Sequence, residues 1–234
     1  MNNTMFTTLL AAATRRNAPE PSPVRNGLVF WLDALNNTGH GLDTSATTWA
    51  DLAGGNDLPI DLDCVAWQDN MCLQTADNYS AARSPNAIFT ENGSYSFEAA
   101  VKFLPNVLSW IAIVAEGTTN YVQVYVSSGN KIALRCGSDA AALTTASSTA
   151  MVHATLDIAT GLVTLYVNGR YGTSFTAVAP SRPIGGFFRA FSQTSPALYS
   201  RAGSGIYAVH IYDRALSAAE VAENYAYVSG KYGI

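Results

Sequence analysis

The sequence predicts an all-β protein: a jelly-roll β-sandwich of two antiparallel sheets with one short C-terminal helix. Three observations carry this. From Val24 onward, short apolar runs alternate with Gly-, Asn- and Ser-containing turns, the pattern of sandwiches and jelly rolls. Between two of these runs stands Asn168-Gly169, which supplies both positive-φ residues of a type I′ hairpin turn. Helical signals are confined to the two ends of the chain.

The elements follow in order. Met5, Phe6, Leu9, Leu10 and Ala13 recur at helical spacing within residues 1–17, giving one apolar stripe. So short a helix is not stable alone in water, so it is expected to dock on a partner. Its charges, Arg15 and Arg16, follow the apolar stretch, whereas a secretion signal carries them in front. Ala18-Pro19-Glu20-Pro21-Ser22-Pro23 reads as a stiff, extended spacer. The expected division is a docking segment and linker over 1–23 and a sandwich over 24–234. Ser94–Phe103 and Leu108–Val114 read as strands joined through Pro105-Asn106. Tyr121–Val126 and Lys131–Cys136 flank a hairpin turn, and Leu162–Val167 pairs with Arg170–Phe175 across Asn168-Gly169. In Ile206–Tyr212, strict alternation puts Tyr207, Val209 and Ile211 on one face and Ala208, His210 and Tyr212 on the other. Ser217-Ala218-Ala219-Glu220 is a capping box. It opens a helix over about Ala218–Val228 with the stripe Val221, Tyr225, Val228 and with Gly230 at its C′ position.

Composition narrows the function. A chain of 234 residues that is 48% hydrophobic and 11% aromatic can bury a full core. Only 13% of residues are charged, about half the usual share of roughly 25%. The surface is therefore largely Ser, Thr, Asn and Gly, which fits a secreted or virion-exposed component. A net charge of −4 argues against a nucleic-acid partner, which calls for a basic patch. No apolar run approaches the roughly 18 residues of a membrane-spanning helix. Cys64, Cys72 and Cys136 are odd in number and lack zinc-site spacing, so they read as buried thiols.

Gly27-Leu28-Val29-Phe30-Trp31-Leu32-Asp33-Ala34, followed by Trp49-Ala50-Asp51-Leu52-Ala53-Gly54-Gly55-Asn56-Asp57, resembles the opening of the concanavalin A-like lectin/glucanase superfamily, in its laminin-G-type jelly-roll branch. His153–Asp157 through Leu165-Tyr166-Val167-Asn168-Gly169 is similar to that family's central hairpin. Ile211-Tyr212-Asp213-Arg214-Ala215-Leu216-Ser217-Ala218-Ala219-Glu220 is similar to its closing strand and helix. One departure is visible: Met151 and Val152 precede His153 where the family's strand carries a Trp. The plan of a short N-terminal segment before one such domain also resembles structural proteins of tailed bacteriophages.

The resemblance implies a sandwich that hosts lectins, hydrolases and adhesion modules. Its hydrolases carry Glu-x-Asp-x-x-Glu on one strand, aiming the carboxylates into one cleft. None of the six glutamates here, Glu20, Glu91, Glu98, Glu116, Glu220 and Glu223, stands in that pattern. Two and five places after Glu98 come Ala100 and Phe103. His40, His153 and His210 are far apart, and no Gly-x-Ser-x-Gly elbow is present. The expectation is therefore binding without catalysis.

Asp57, Asp61, Asp63 and Asp69, with Asn56 and Asn70, form the densest oxygen cluster. Asp61, Asp63 and Asp69 are the candidate ligands of a hard cation, calcium, against the alternative that they cap turns. Trp67 beside them either stacks on a sugar face or belongs to the core. The expected protein is a virion-associated, carbohydrate-binding adhesion module: a phage decoration protein or head or tail appendage. It would sit on the external surface of the virion, or else be extracellular. Met5, Phe6, Leu9 and Leu10 would join it to other virion proteins or to copies of itself, and host glycans would be its ligands. Its alternatives are a hydrolase of the same fold and a purely structural subunit.

Overall fold

The computed structural model describes residues 22–76, 82–105, 107, 109–116, 120–127, 131–136, 139–144, 147–177, 182–191 and 201–234. The docking residues Met5, Phe6, Leu9 and Leu10 lie outside this set. In chain order the strands are β1 (Leu28–Asp33), β2 (Thr48–Trp49), β3 (Leu58–Pro59), β4 (Val65–Gln68), β5 (Met71–Gln74) and β6 (Ala82–Arg83). Next come β7 (Tyr95–Lys102), β8 (Ser109–Glu116), β9 (Asn120–Ser127), β10 (Lys131–Cys136) and β11 (Asp139–Thr144). The last are β12 (Thr149–Asp157), β13 (Leu162–Val167), β14 (Arg170–Thr176), β15 (Phe187–Ala190) and β16 (Gly205–Tyr212), followed by helix α1 (Ala218–Tyr232).

Two antiparallel sheets stack on one core. The first runs β14-β13-β12-β7-β16-β5-β4, with β1 also paired to β16; the second runs β11-β10-β9-β8-β15-β6. Alternation along each strand sends one set of apolar side chains inward. Phe30, Leu32, Phe97, Ala99, Val152, Val163 and Val209 come from the first sheet; Val114, Val122, Val124 and Phe188 from the second. Phe30 and Phe188 meet across the sandwich with ring centroids 5.0 Å apart. The strands over 95–102 and 109–116, adjacent in sequence, belong to different sheets, so their connection crosses the sandwich.

The Asn168-Gly169 turn is as expected, with φ of 51° and 71°. Gly169 serves twice, because a Cβ there would come within 3.0 Å of Tyr225 on the helix. The strict alternation expected in β16 is corrected. A register shift between Ile206 and Ala208 inserts an extra residue opposite β7. It leaves Ile206, Val209 and Ile211 in the core while Tyr207 and Ala208 face outward, toward the helix.

Helix α1 begins as the capping box requires. The Glu220 amide donates to Ser217 Oγ at 3.3 Å and the Ser217 amide to Glu220 Oε2 at 2.8 Å. Arg214 closes on the same carboxylate at 2.6 Å. The helix runs past the expected end to Tyr232, and Gly233, not Gly230, takes the left-handed cap at φ 72°. Tertiary contacts explain the extension. Tyr227, Lys231 and Tyr232, all in the last turns, converge on the buried carboxylate of Asp33 at the end of β1.

Candidate functional site

The outer face of the first sheet carries one cross-strand row. Trp31 of β1 pairs with His210 of β16, His210 with Glu98 of β7, Glu98 with His153 of β12, and His153 with Tyr166 of β13. His153 Nδ1 lies 2.6 Å from Glu98 Oε1, and His210 Nδ1 lies 2.7 Å from Oε2. Asn224 of α1 donates Nδ2 to Glu98 Oε1 at 2.8 Å and to the Tyr212 hydroxyl at 2.9 Å. An ionised carboxylate only accepts, so both Nδ1 atoms donate. Burial pushes the Glu98 pKa up, but the charge and hydrogen bond of His153, and those of His210, outweigh it and hold the carboxyl at about 2.

A glutamate between two histidines has the composition of an acid–base site, but not its access. Glu98, His153, His210 and Asn224 are each at most 1% exposed. The Nε2 atoms of both imidazoles are enclosed, with no hydrogen-bond partner among the described residues. General acid–base catalysis needs those nitrogens within hydrogen-bond reach of a substrate. This cluster fastens the helix to the sheet. The other buried carboxylates are similarly engaged. Asp51 accepts from the amides of Trp31, Ala53 and Asn56, and Asp33 accepts from Lys231, Tyr227 and Tyr232.

The outer face of the second sheet reaches solvent at its β6 edge, whereas Ile113 and Gln123 on β8 and β9 are each 1% exposed. Ala82, Phe188 and Ala190 point into the core, so Arg83, Phe187 and Arg189 point outward. Arg83 stands directly opposite Arg189 across β6 and β15, and the row continues through Ile113 to Gln123. The Arg83 guanidinium lies 3.7 Å over the Phe187 ring. Arg83 is exposed, Phe187, Arg189 and Tyr125 are half-buried, and Ile113 and Gln123 are buried. A guanidinium stacked on an aromatic ring at the sheet edge suits a polar, planar-sided ligand. A second surface feature, an open groove of about 310 Å³, is lined by Asn37, Thr38, Thr47, Thr48 and Asp57. It has hydroxyls but no exposed aromatic, because Trp49 beneath it is fully buried.

The structure corrects the candidate ligand residue Trp67. It is 5% exposed, packs edge-on against Trp49 at 5.0 Å, and donates Nε1 to the Ala46 carbonyl at 2.8 Å. It belongs to the core, and no face is left for a sugar. The candidate calcium ligands do not converge either; among the described residues no group of three or more His, Cys, Asp or Glu is placed to hold a metal. Asp61 caps its own turn, accepting from the Asp63 amide at 3.0 Å and from Cys64 Sγ at 3.3 Å. Asp69 occupies the β4–β5 turn with φ 51°. Asp57 accepts from the Asp51 amide. Cys64 and Cys72 are buried thiols; the side chains of Cys136 and Glu116 lie outside the described set.

Two antiparallel sheets on one core, a sealed face under the terminal helix and an arginine–aromatic edge on the other sheet together define a jelly-roll β-sandwich. The chain belongs to the concanavalin A-like lectin/glucanases superfamily, whose laminin-G-type family model matches residues 75–222. A comparison with the curated proteins found no match. Among solved structures it is similar to a Trypanosoma rangeli sialidase in complex with sialic acid (TM-score 0.61, 17% identity, covering 88% of this chain and 33% of that one). It is also similar to the botulinum neurotoxin serotype D binding domain (TM-score 0.62, 14% identity, 87% and 51%). The type G receptor binding domain is a third (TM-score 0.60, 14% identity, 86% and 51%). The chain thus spans about a third of the sialidase and about half of each toxin domain. At these identities the likeness is one of fold.

Proposed function

We propose that this chain is a carbohydrate-binding adhesion module that performs no catalysis and sits on the external surface of a virion, as a phage decoration protein or a head or tail appendage. One observation carries the binding reading. The clustered acid–base groups Glu98, His153 and His210 are buried, with Asn224 of α1 bonded to Glu98, while the second sheet presents exposed Arg83 beside half-buried Phe187, Arg189 and Tyr125. Superfamily membership supports it, and the structural neighbours include a receptor-binding domain as well as a sialidase. Placement on a virion is supported by the apolar stripe Met5, Phe6, Leu9, Leu10 and the proline spacer behind it. Such a stripe is a liability unless buried against a partner, whether another virion protein or a second copy of this chain.

The test is a glycan array probed with the full chain, followed by incubation of each bound glycan with excess protein. Binding without product supports the reading. Reproducible product lost on replacing one Asp or Glu replaces it with a hydrolase. Absence of glycan binding, together with co-purification of stoichiometric virion subunits, replaces it with a structural module.

A further inference from the structure

We infer that the groove beside the β2–β3 hairpin is a subsite for one neutral sugar ring, held by Asp57, Thr47 and Thr48. This rests on the carbohydrate-binding reading above and adds the place and the charge of the ligand. The groove has about 310 Å³ of space, at the lower end of small-molecule sites, which run from roughly 300 to 1,000 Å³. Its polar groups are uncommitted. Asp57 is exposed, and only its Oδ1 is engaged, accepting from the Asp51 amide at 2.9 Å. That bond fixes the carboxylate and leaves Oδ2 as an anchored acceptor. The exposed side chains of Thr47 and Thr48 make no hydrogen bond among the described residues. Asn37, fully buried in the same lining, uses one Nδ2 hydrogen on the Asp43 carbonyl at 2.8 Å and has a second to give.

An ionised acceptor, two hydroxyls that both donate and accept, and an amide donor match a ring that carries several hydroxyls. Ala50, half-buried in the lining, offers its methyl group to the C–H side of such a ring. The walls are held before any ligand arrives. The Ala50 amide donates to the Asn37 carbonyl at 2.7 Å, the Ile60 amide to the Thr47 carbonyl at 2.8 Å, and the Thr38 hydroxyl to the Gly41 carbonyl at 2.9 Å. A site fixed in advance loses less to ordering on binding. Charge excludes the other ligands. No Lys, Arg or His lines the groove, and Asp57 is its one charged group among the described residues. An acidic sugar would set its carboxylate against Asp57 with no cation to compensate. Calcium takes about 6–8 oxygen ligands, carboxylates prominent among them, and a single carboxylate does not supply such a set.

The test is an NMR titration of the isotope-labelled full chain with methyl glycosides of glucose, galactose and mannose, short neutral oligosaccharides made of them, and the matching uronic acids. A neutral ligand should shift the amides of Thr47, Thr48 and Asp57 and bind more tightly than its uronic counterpart. Asp57→Asn keeps an acceptor for the Asp51 amide but turns the ligand-facing oxygen into a donor, so it should weaken binding about tenfold, the effect of one charge-assisted contact. Thr48→Val keeps the shape, removes the hydroxyl and should weaken binding by a smaller factor. Both variants should melt with the parent; if one fails to fold, the other decides. Sugar binding that shifts amides elsewhere and is indifferent to both variants overturns the inference and leaves carbohydrate binding standing. Tighter binding of the uronic acids overturns the neutral ligand, and shifts of the same amides by calcium alone overturn the sugar. If no sugar of either kind binds, the carbohydrate reading falls with the subsite.

Discussion

Glu98 and His153 face each other across one register position of β7 and β12, Oε1 to Nδ1, 2.6 Å apart and both buried. With His210 on the other oxygen and Asn224 reaching down from α1, this carboxylate ties three strands to the terminal helix. Among the described residues this acid–base cluster is thus a fastening.

Replacing Glu98 by Ala leaves His153, His210 and Asn224 with unmatched buried donors. Breaking a buried charged network in this way costs about 3–5 kcal/mol. Denaturant unfolding of Glu98→Ala should show that loss; an unchanged midpoint would mean the cluster does not hold the helix.

The same carboxyl predicts acid sensitivity. Its folded pKa, about 2, lies below the ordinary value of 4.5. A depressed carboxyl contributes stability that is fully present above the unfolded value and is lost as pH falls through the folded one. Stability should therefore decline by on the order of 3 kcal/mol between about pH 4.5 and 2. In Glu98→Gln this decline should be much shallower. A parallel pH curve for the variant would assign acid lability elsewhere.

The helix start is tested by Ser217→Ala. Loss of the cap should cost about 1 kcal/mol, read as a lower melting temperature with the sheet spectrum intact.

Trp67→Ala separates core from site. Emptying a buried Trp position should cost about 3–5 kcal/mol. Glycan affinity of the folded fraction should be unchanged. Selective loss of binding in a variant of parental stability would return Trp67 to the ligand.

Removing residues 1–21 tests the assembly reading. The product should remain a folded sandwich but should fail to join its particle or oligomer, measured by co-sedimentation. Normal assembly of the truncated chain would refute a docking role for Met5, Phe6, Leu9 and Leu10.

What the sequence by itself determined was local. Asn168-Gly169 specifies its turn because few residue pairs tolerate two positive φ angles. Ser217 and Glu220 specify a helix start because each satisfies the other's amide. Apolar alternation fixed the all-β class, and the motifs around Trp31, His153 and Tyr212 pointed to the family. Tertiary structure decided everything that depends on register between distant strands. Glu98 is 55 residues from His153 and 112 from His210, and no local pattern encodes that they share a row. The same holds for Arg83 and Arg189, which meet only because β6 lies beside β15. The extra residue in β16 moved Tyr207 to the outer face, since a one-residue shift reverses every side chain beyond it. Trp67 and the turn aspartates were ambiguous in the sequence because burial and capping depend on neighbours brought from elsewhere in the chain. For Trp67 those neighbours are Trp49 and the Ala46 carbonyl.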